Sequence, residues 1–163
     1  MKKKATSTER FEAILRECAA HEKRLSQAKD RCSGFFPLTP ETCESLSDEQ
    51  VVHVDQMVYR FTKLQDALGA KLFPAVLSVL REDAASLTVF DMLTELEKAG
   101  AISDAGSWVA MRETRNQLAH DYQDDPEEGS RYLNDLFDAV EELKATAEMA
   151  TGFVRDRVLP GLS

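Results

Sequence analysis

Only seven glycines and five prolines punctuate 163 residues, and this scarcity of chain breakers constrains the fold more than any other feature. Sandwiches and barrels need a turn roughly every 8–12 residues, so a chain this poor in turn formers is expected to build long, uninterrupted elements. The apolar residues repeat accordingly. From about residue 8 to 32, Phe11, Ile14, Leu15, Cys18, Leu25, Ala28 and Cys32 recur at three- and four-residue steps, with Glu9, Arg10, Glu12, Arg16, Lys23 and Lys29 on the other face. That is the period of an amphipathic helix.

Start and stop signals divide the rest into further helices. Thr39-Pro40-Glu41 supplies an N-cap, a proline at the first helical position and an acid in the first turn. Ser47 and Gln50 form a capping box, with Leu46 and Val51 placed as a hydrophobic staple. Behind them Val54, Met57, Val58, Phe61, Leu64, Leu68 and Leu72 keep one apolar face, until Pro74 is expected to kink or end the helix. Thr88 and Asp91 start another helix that Gly100 stops. Ser103-Asp104 opens the next, which is expected to carry Trp108, Met111, Leu118 and Tyr122. Asp125-Pro126-Glu127-Glu128 opens the last, whose stripe from Leu133 to Val154 runs until Pro160-Gly161. Residues 1–7 read as a basic tail and 8–163 as one all-α domain, four long helices with short extras.

Hydrophobic residues at 43% provide a core, and no apolar run approaches the ~18 residues that span a bilayer. The basic start lacks an apolar segment behind it, so no secretory signal is read there. Cys18, Cys32 and Cys43 form no C-x-x-C pair and are odd in number, which suits reduced thiols in a cytoplasmic protein. The net charge of −9 argues against general phosphate-backbone binding. Its distribution softens this: residues 123–142 carry eight acids against Arg131 alone, while residues 1–33 sum to +4.

Phosphate-binding loops, zinc-protease and nucleophile-elbow motifs are absent. His21 reads as a surface residue and His53 as a satisfied structural one, and no metal site or cofactor is expected. The segment Arg112 to Tyr122 is different. On a continuous helix Arg112, Asn116 and His120 fall on one polar stripe, where Asn116 could hydrogen-bond the imidazole and fix its tautomer. Arg115 and Tyr122 share a second stripe with Trp108, Met111 and Leu118. Arg115 and His120 lie about 140° apart around such a helix. Either the helix frays at His120, or a second copy across a two-fold axis completes the site. Alternatively, Arg115 and Tyr122 are interface packing and His120 is a cation favoured by the helix C-terminus.

Arg115-x4-His120-x-Tyr122, with Asn116 directly after the arginine, resembles the R-x4-H-x-Y signature of the HEPN superfamily, and more narrowly the HepT-like toxins that partner minimal nucleotidyltransferases. Lys98-Ala99-Gly100-Ala101-Ile102 before the motif and Tyr59-Arg60-Phe61-Thr62-Lys63-Leu64 agree with that resemblance, which covers about residues 8–158. It implies a four-helix up-and-down bundle that pairs as a homodimer, two motif copies lining one cleft, and metal-independent endoribonuclease activity. His120 would be the general acid/base, Arg115 would hold the scissile phosphate, Asn116 would orient His120, and Arg112 would extend the cleft. Tyr122 would stand behind the site or be adenylylated by a cognate nucleotidyltransferase antitoxin. The alternative is a non-catalytic subunit that presents substrate or nucleotide to the nucleotidyltransferase. The acidic tract after Tyr122 opposes RNA entry unless it turns away from the cleft.

Overall fold

A computed structural model describes residues 3–117 and 120–162, and among them the chain is all-helical with no strand. Helix α1 (Ser7–Cys32) starts one residue into the segment expected as tail, because Thr6 and Glu9 cap each other reciprocally. A short loop leads to α2 (Pro40–Glu44), and the expected Ser47–Gln50 capping box opens α3 (Asp48–Asp66). After α4 (Phe73–Leu80) come α5 (Val89–Ala99), α6 (Ala105–Asn116), α7 (Pro126–Phe153) and the short α8 (Leu159–Leu162). Gly100 ends α5 in the left-handed region at φ 86°, where a side chain would be strained.

Pro74 and Pro160 do not end their helices. A wide π turn precedes each, Ala67–Leu72 before Pro74 and Val154–Val158 before Pro160, and helical backbone continues through both prolines. The widened turn bonds Phe73 N–H to the Leu68 carbonyl, five residues back. That register moves aside the carbonyl with which a proline ring ordinarily collides.

Helix α1 runs antiparallel to both α3 and α7. Glu17 takes Lys71 at 2.7 Å and His21 takes Arg60 at 2.9 Å, while Lys29 approaches Glu141 of α7 at 3.4 Å. Between them Leu25, Met57, Phe61, Leu64, Leu133 and Leu136 are fully buried, each such side chain contributing about 1.5–3 kcal/mol. The Ser33–Leu38 loop is held to α7 through Leu38, whose N–H and carbonyl both pair with the Asn134 amide at 2.7 and 2.8 Å. All three cysteines are buried free thiols. No helix among the described residues is long and apolar enough to cross a membrane.

His21 departs from its expected place on the surface. Its side chain is only 12% exposed, packed between α1 and α3, with Arg60 Nη1 donating to its Nδ1. Burial, then the Arg60 and Lys63 charges, hold its pKa below the usual imidazole range against the pull of Glu17. His53 is partly buried, but its Nδ1 lacks a partner among the described residues, so it is not the satisfied histidine expected.

Candidate functional site

Helix α6 stops sooner than its apolar pattern suggests. Asp104 caps its start, Trp108 and Met111 bury its inner face, and the last helical residue is Asn116. His120 therefore stands on a bend beyond the helix, not on a stripe with Arg112 and Asn116, and its side chain is exposed. No hydrogen bond joins Asn116 to His120, and neither has a side-chain partner among the described residues. The helix thus ends at Asn116, four residues before His120, and Arg115 turns to Asp66 of α3. Leu118, expected on the apolar stripe, lies outside the described residues.

Tyr122 also leaves the stripe shared with Arg115. It sits in the turn that joins α6 to α7, where Asp121 accepts from the N–H groups of Gln123 and Asp124. The ring is 7% exposed, and its hydroxyl donates to Asp55 Oδ1 at 2.7 Å. Burial first, then the hydrogen bond and the negative charges of Asp55 and Asp121, drive its pKa far above the ordinary phenol value. Two neighbours fix the turn from behind. Cys43 of α2 donates its thiol to the Tyr122 carbonyl at 3.4 Å, and Gly129 in the first turn of α7 lies against the Tyr122 backbone, where any Cβ would collide with it.

Arg115, one residue before the helix end, donates from Nη1 to Asp66 Oδ1 at 2.7 Å. Asp55 and Asp66 are eleven residues apart on α3, which places them on one stripe, three turns and about 16 Å apart along the axis. This acidic stripe holds both Tyr122 and Arg115, and neither acid was singled out by motif reading. Their spacing on one face of α3 is the signal that could have found them.

Arg112, Arg115 and Trp108 remain together as a face of α6, because all three precede the break. With Gln65, Asp66, Gly69, Phe73 and Leu93 among other residues they line a cavity of about 220 Å³ between α5, α6 and the π turn after α3. The guanidinium groups give its rim two positive charges against the Asp66 carboxylate. Gly69 packs closely here, since a Cβ there would stand 3.0 Å from the Trp108 ring. Among the described residues no cluster of three or more histidine, cysteine or carboxylate side chains is placed to hold a metal ion.

The feared acidic tract has a partly structural task. Asp125 caps α7 by accepting from Glu128 N–H at 3.2 Å, and Glu127 and Glu128 occupy the first turn at the positive end of the helix dipole. Asp135, Asp138, Glu141 and Glu142 are on the exposed face of the same helix or at its edge. No family model, curated protein or solved structure matches the chain.

Proposed function

We propose that the chain is a HEPN-type metal-independent endoribonuclease, a toxin that works as a homodimer of four-helix up-and-down bundles and is silenced by a cognate minimal nucleotidyltransferase. The observation that carries this reading is the exposed imidazole of His120, without a side-chain partner among the described residues, between two anchored motif residues, Arg115 and Tyr122. An imidazole free of structural partners can take the proton of an RNA 2′-hydroxyl or give one to the leaving 5′-oxygen. Arg115 would hold the scissile phosphate and stabilise the charge that builds on it, exchanging Asp66 for the phosphate as substrate arrives. Asn116, exposed on the last turn of α6, faces RNA in this reading and no longer orients His120. Arg112 adds a second cation on the same side.

Silencing at Tyr122 requires the turn to open, because the phenol is buried against Asp55. Once exposed to a nucleoside triphosphate, the phenolic oxygen would attack the α-phosphate, pyrophosphate would leave, and the phenolic proton would pass to solvent. The attached nucleotide would then repel RNA by bulk and charge.

A second reading, a nucleotide-binding partner subunit without nuclease activity, is favoured by the Arg115–Asp66 pair and by the net charge of −9. Expression without any partner separates the two. The nuclease reading predicts growth arrest, abolished by His120→Ala in a variant of unchanged circular dichroism. Absence of arrest, with a stable complex between the chain and a nucleotidyltransferase, would favour the subunit. A monomer at micromolar concentration would count against a cleft shared by two copies.

A further inference from the structure

Gln65, on the last turn of α3, is 2% exposed, yet neither its Nε2 nor its Oε1 has a hydrogen-bond partner among the described residues. An unpaired buried amide gives up its hydrogen bonds to water without replacing them, and a methionine of similar shape would avoid that cost. The same side chain lines the 220 Å³ cavity beside Arg115. Trp108, Phe73 and Leu93 supply its apolar walls, the first two in edge-on ring contact at 4.8 Å, and Arg112 and Arg115 stand on its rim. Flat aromatic walls, a lone amide and two guanidinium groups thus converge on one space.

We propose that this cavity takes the adenine ring of a nucleotide, read by the Gln65 amide, with the nucleotide's phosphate on Arg112 and Arg115. An apolar cavity of about 150 Å³ already accommodates a benzene ring, so there is room for a base that also projects toward the rim. An amide offers one donor beside one acceptor, which matches the N6 and N7 positions of adenine; the corresponding edge of guanine presents two acceptors. Two arginines against Asp66 leave the rim positive in an otherwise acidic chain. The inference rests on the reading of Arg115 as a phosphate-holding residue, and it gives the proposed nuclease a base preference next to the scissile bond.

Trp108 is the only tryptophan, so its fluorescence reports entry into the cavity without any activity assay. Titration of the full chain with 5′-AMP is expected to give saturable quenching, at least tenfold weaker with GMP and at least tenfold weaker in Gln65→Met. Relief of the unpaired amide should leave Gln65→Met melting at or above wild type, and Gln65→Leu serves as a second variant. Short oligo(A) and oligo(U) identify the source: oligo(A) binding more tightly than AMP means an RNA residue, AMP alone a free nucleotide, and both support the site. No saturable signal from folded wild type with either AMP or oligo(A) would overturn the proposal. So would equal quenching by GMP or by inorganic phosphate, or unchanged AMP affinity in both Gln65 variants. Binding of AMP without RNA cleavage would leave the site standing and remove the nuclease, whereas cleavage without AMP or oligo(A) binding would remove only the site.

Discussion

Arg115 Nη1 meets Asp66 Oδ1 at 2.7 Å, joining the end of α6 to the end of α3. The two side chains are 32% and 45% exposed, so the pair stabilises the fold by no more than about 0.2–1 kcal/mol. Its larger consequence is for ligands. Asp66 holds the guanidinium at the rim of the cavity and competes with any phosphate that approaches it.

Asp66→Asn should therefore change stability by less than about 1 kcal/mol while raising affinity for single-stranded RNA severalfold, read by fluorescence anisotropy at fixed salt. A melting loss equivalent to more than about 3 kcal/mol, the cost of stranding one partner of a buried pair, would instead make the pair a structural clamp.

Tyr122→Phe removes a hydrogen bond to a carboxylate and should cost about 1–2 kcal/mol in chemical denaturation. RNA cleavage should persist, and silencing by a nucleotidyltransferase should fail. Loss of cleavage from a folded variant would place the hydroxyl in the reaction itself.

Gly129→Ala should be far more damaging than its position on a helix suggests. The new methyl would be driven into the Tyr122 backbone, and overpacking against rigid main chain costs roughly 1–3 kcal/mol or more. The same displacement would move the turn that carries His120 and Tyr122, so residual cleavage should fall with stability. Gly152, whose Cβ would meet nothing within 4 Å, is the control: Gly152→Ala should leave both unchanged or slightly raise the melting point.

Glu22 of α1 and Glu148 of α7 line one pocket, and burial followed by that acidic neighbour pushes the Glu22 pKa up to about 7. A carboxyl raised from its unfolded value near ~4.3 binds its proton more tightly when folded. Its contribution to stability is complete below the unfolded value and fades as pH rises through 7. Glu22→Gln should flatten the decline in melting temperature between about pH 4.5 and 8. At pH 8 the variant should melt higher, by up to ~2–4 °C for roughly 1 kcal/mol in a chain of this size. An unchanged pH profile would contradict the raised Glu22 pKa.

The helices were legible because their boundaries are local chemistry. Ser47 and Gln50 cap one another, Gly100 takes the left-handed turn, and Asp125 caps α7 where the sequence places it. Pro74 and Pro160 misled, since a preceding π turn removes the steric conflict without changing the apolar period. The end of α6 misled for a different reason. Trp108, Met111, Leu118 and Tyr122 keep helical spacing, but the Tyr122 hydroxyl is drawn to Asp55, Cys43 and Gly129 hold its backbone, and the chain turns before reaching it. Arg115 was visible as a candidate; its partner Asp66 was not, because the eleven-residue spacing of Asp55 and Asp66 marks a shared face of α3 without saying which helix packs against it. Gln65 was hidden as well, an amide inside an apolar stripe that only the cavity beside it makes conspicuous.

The most direct measurement is cleavage of a generic single-stranded RNA by the purified chain in EDTA, beside His120→Ala. The exposed position of His120 means the substitution should alter stability by no more than about 0.5 kcal/mol, so a difference in activity reports chemistry and not folding. Cleavage by wild type and none by the variant is the predicted result. Equal cleavage by both, or none by a folded wild-type dimer, would contradict a nuclease that works through His120.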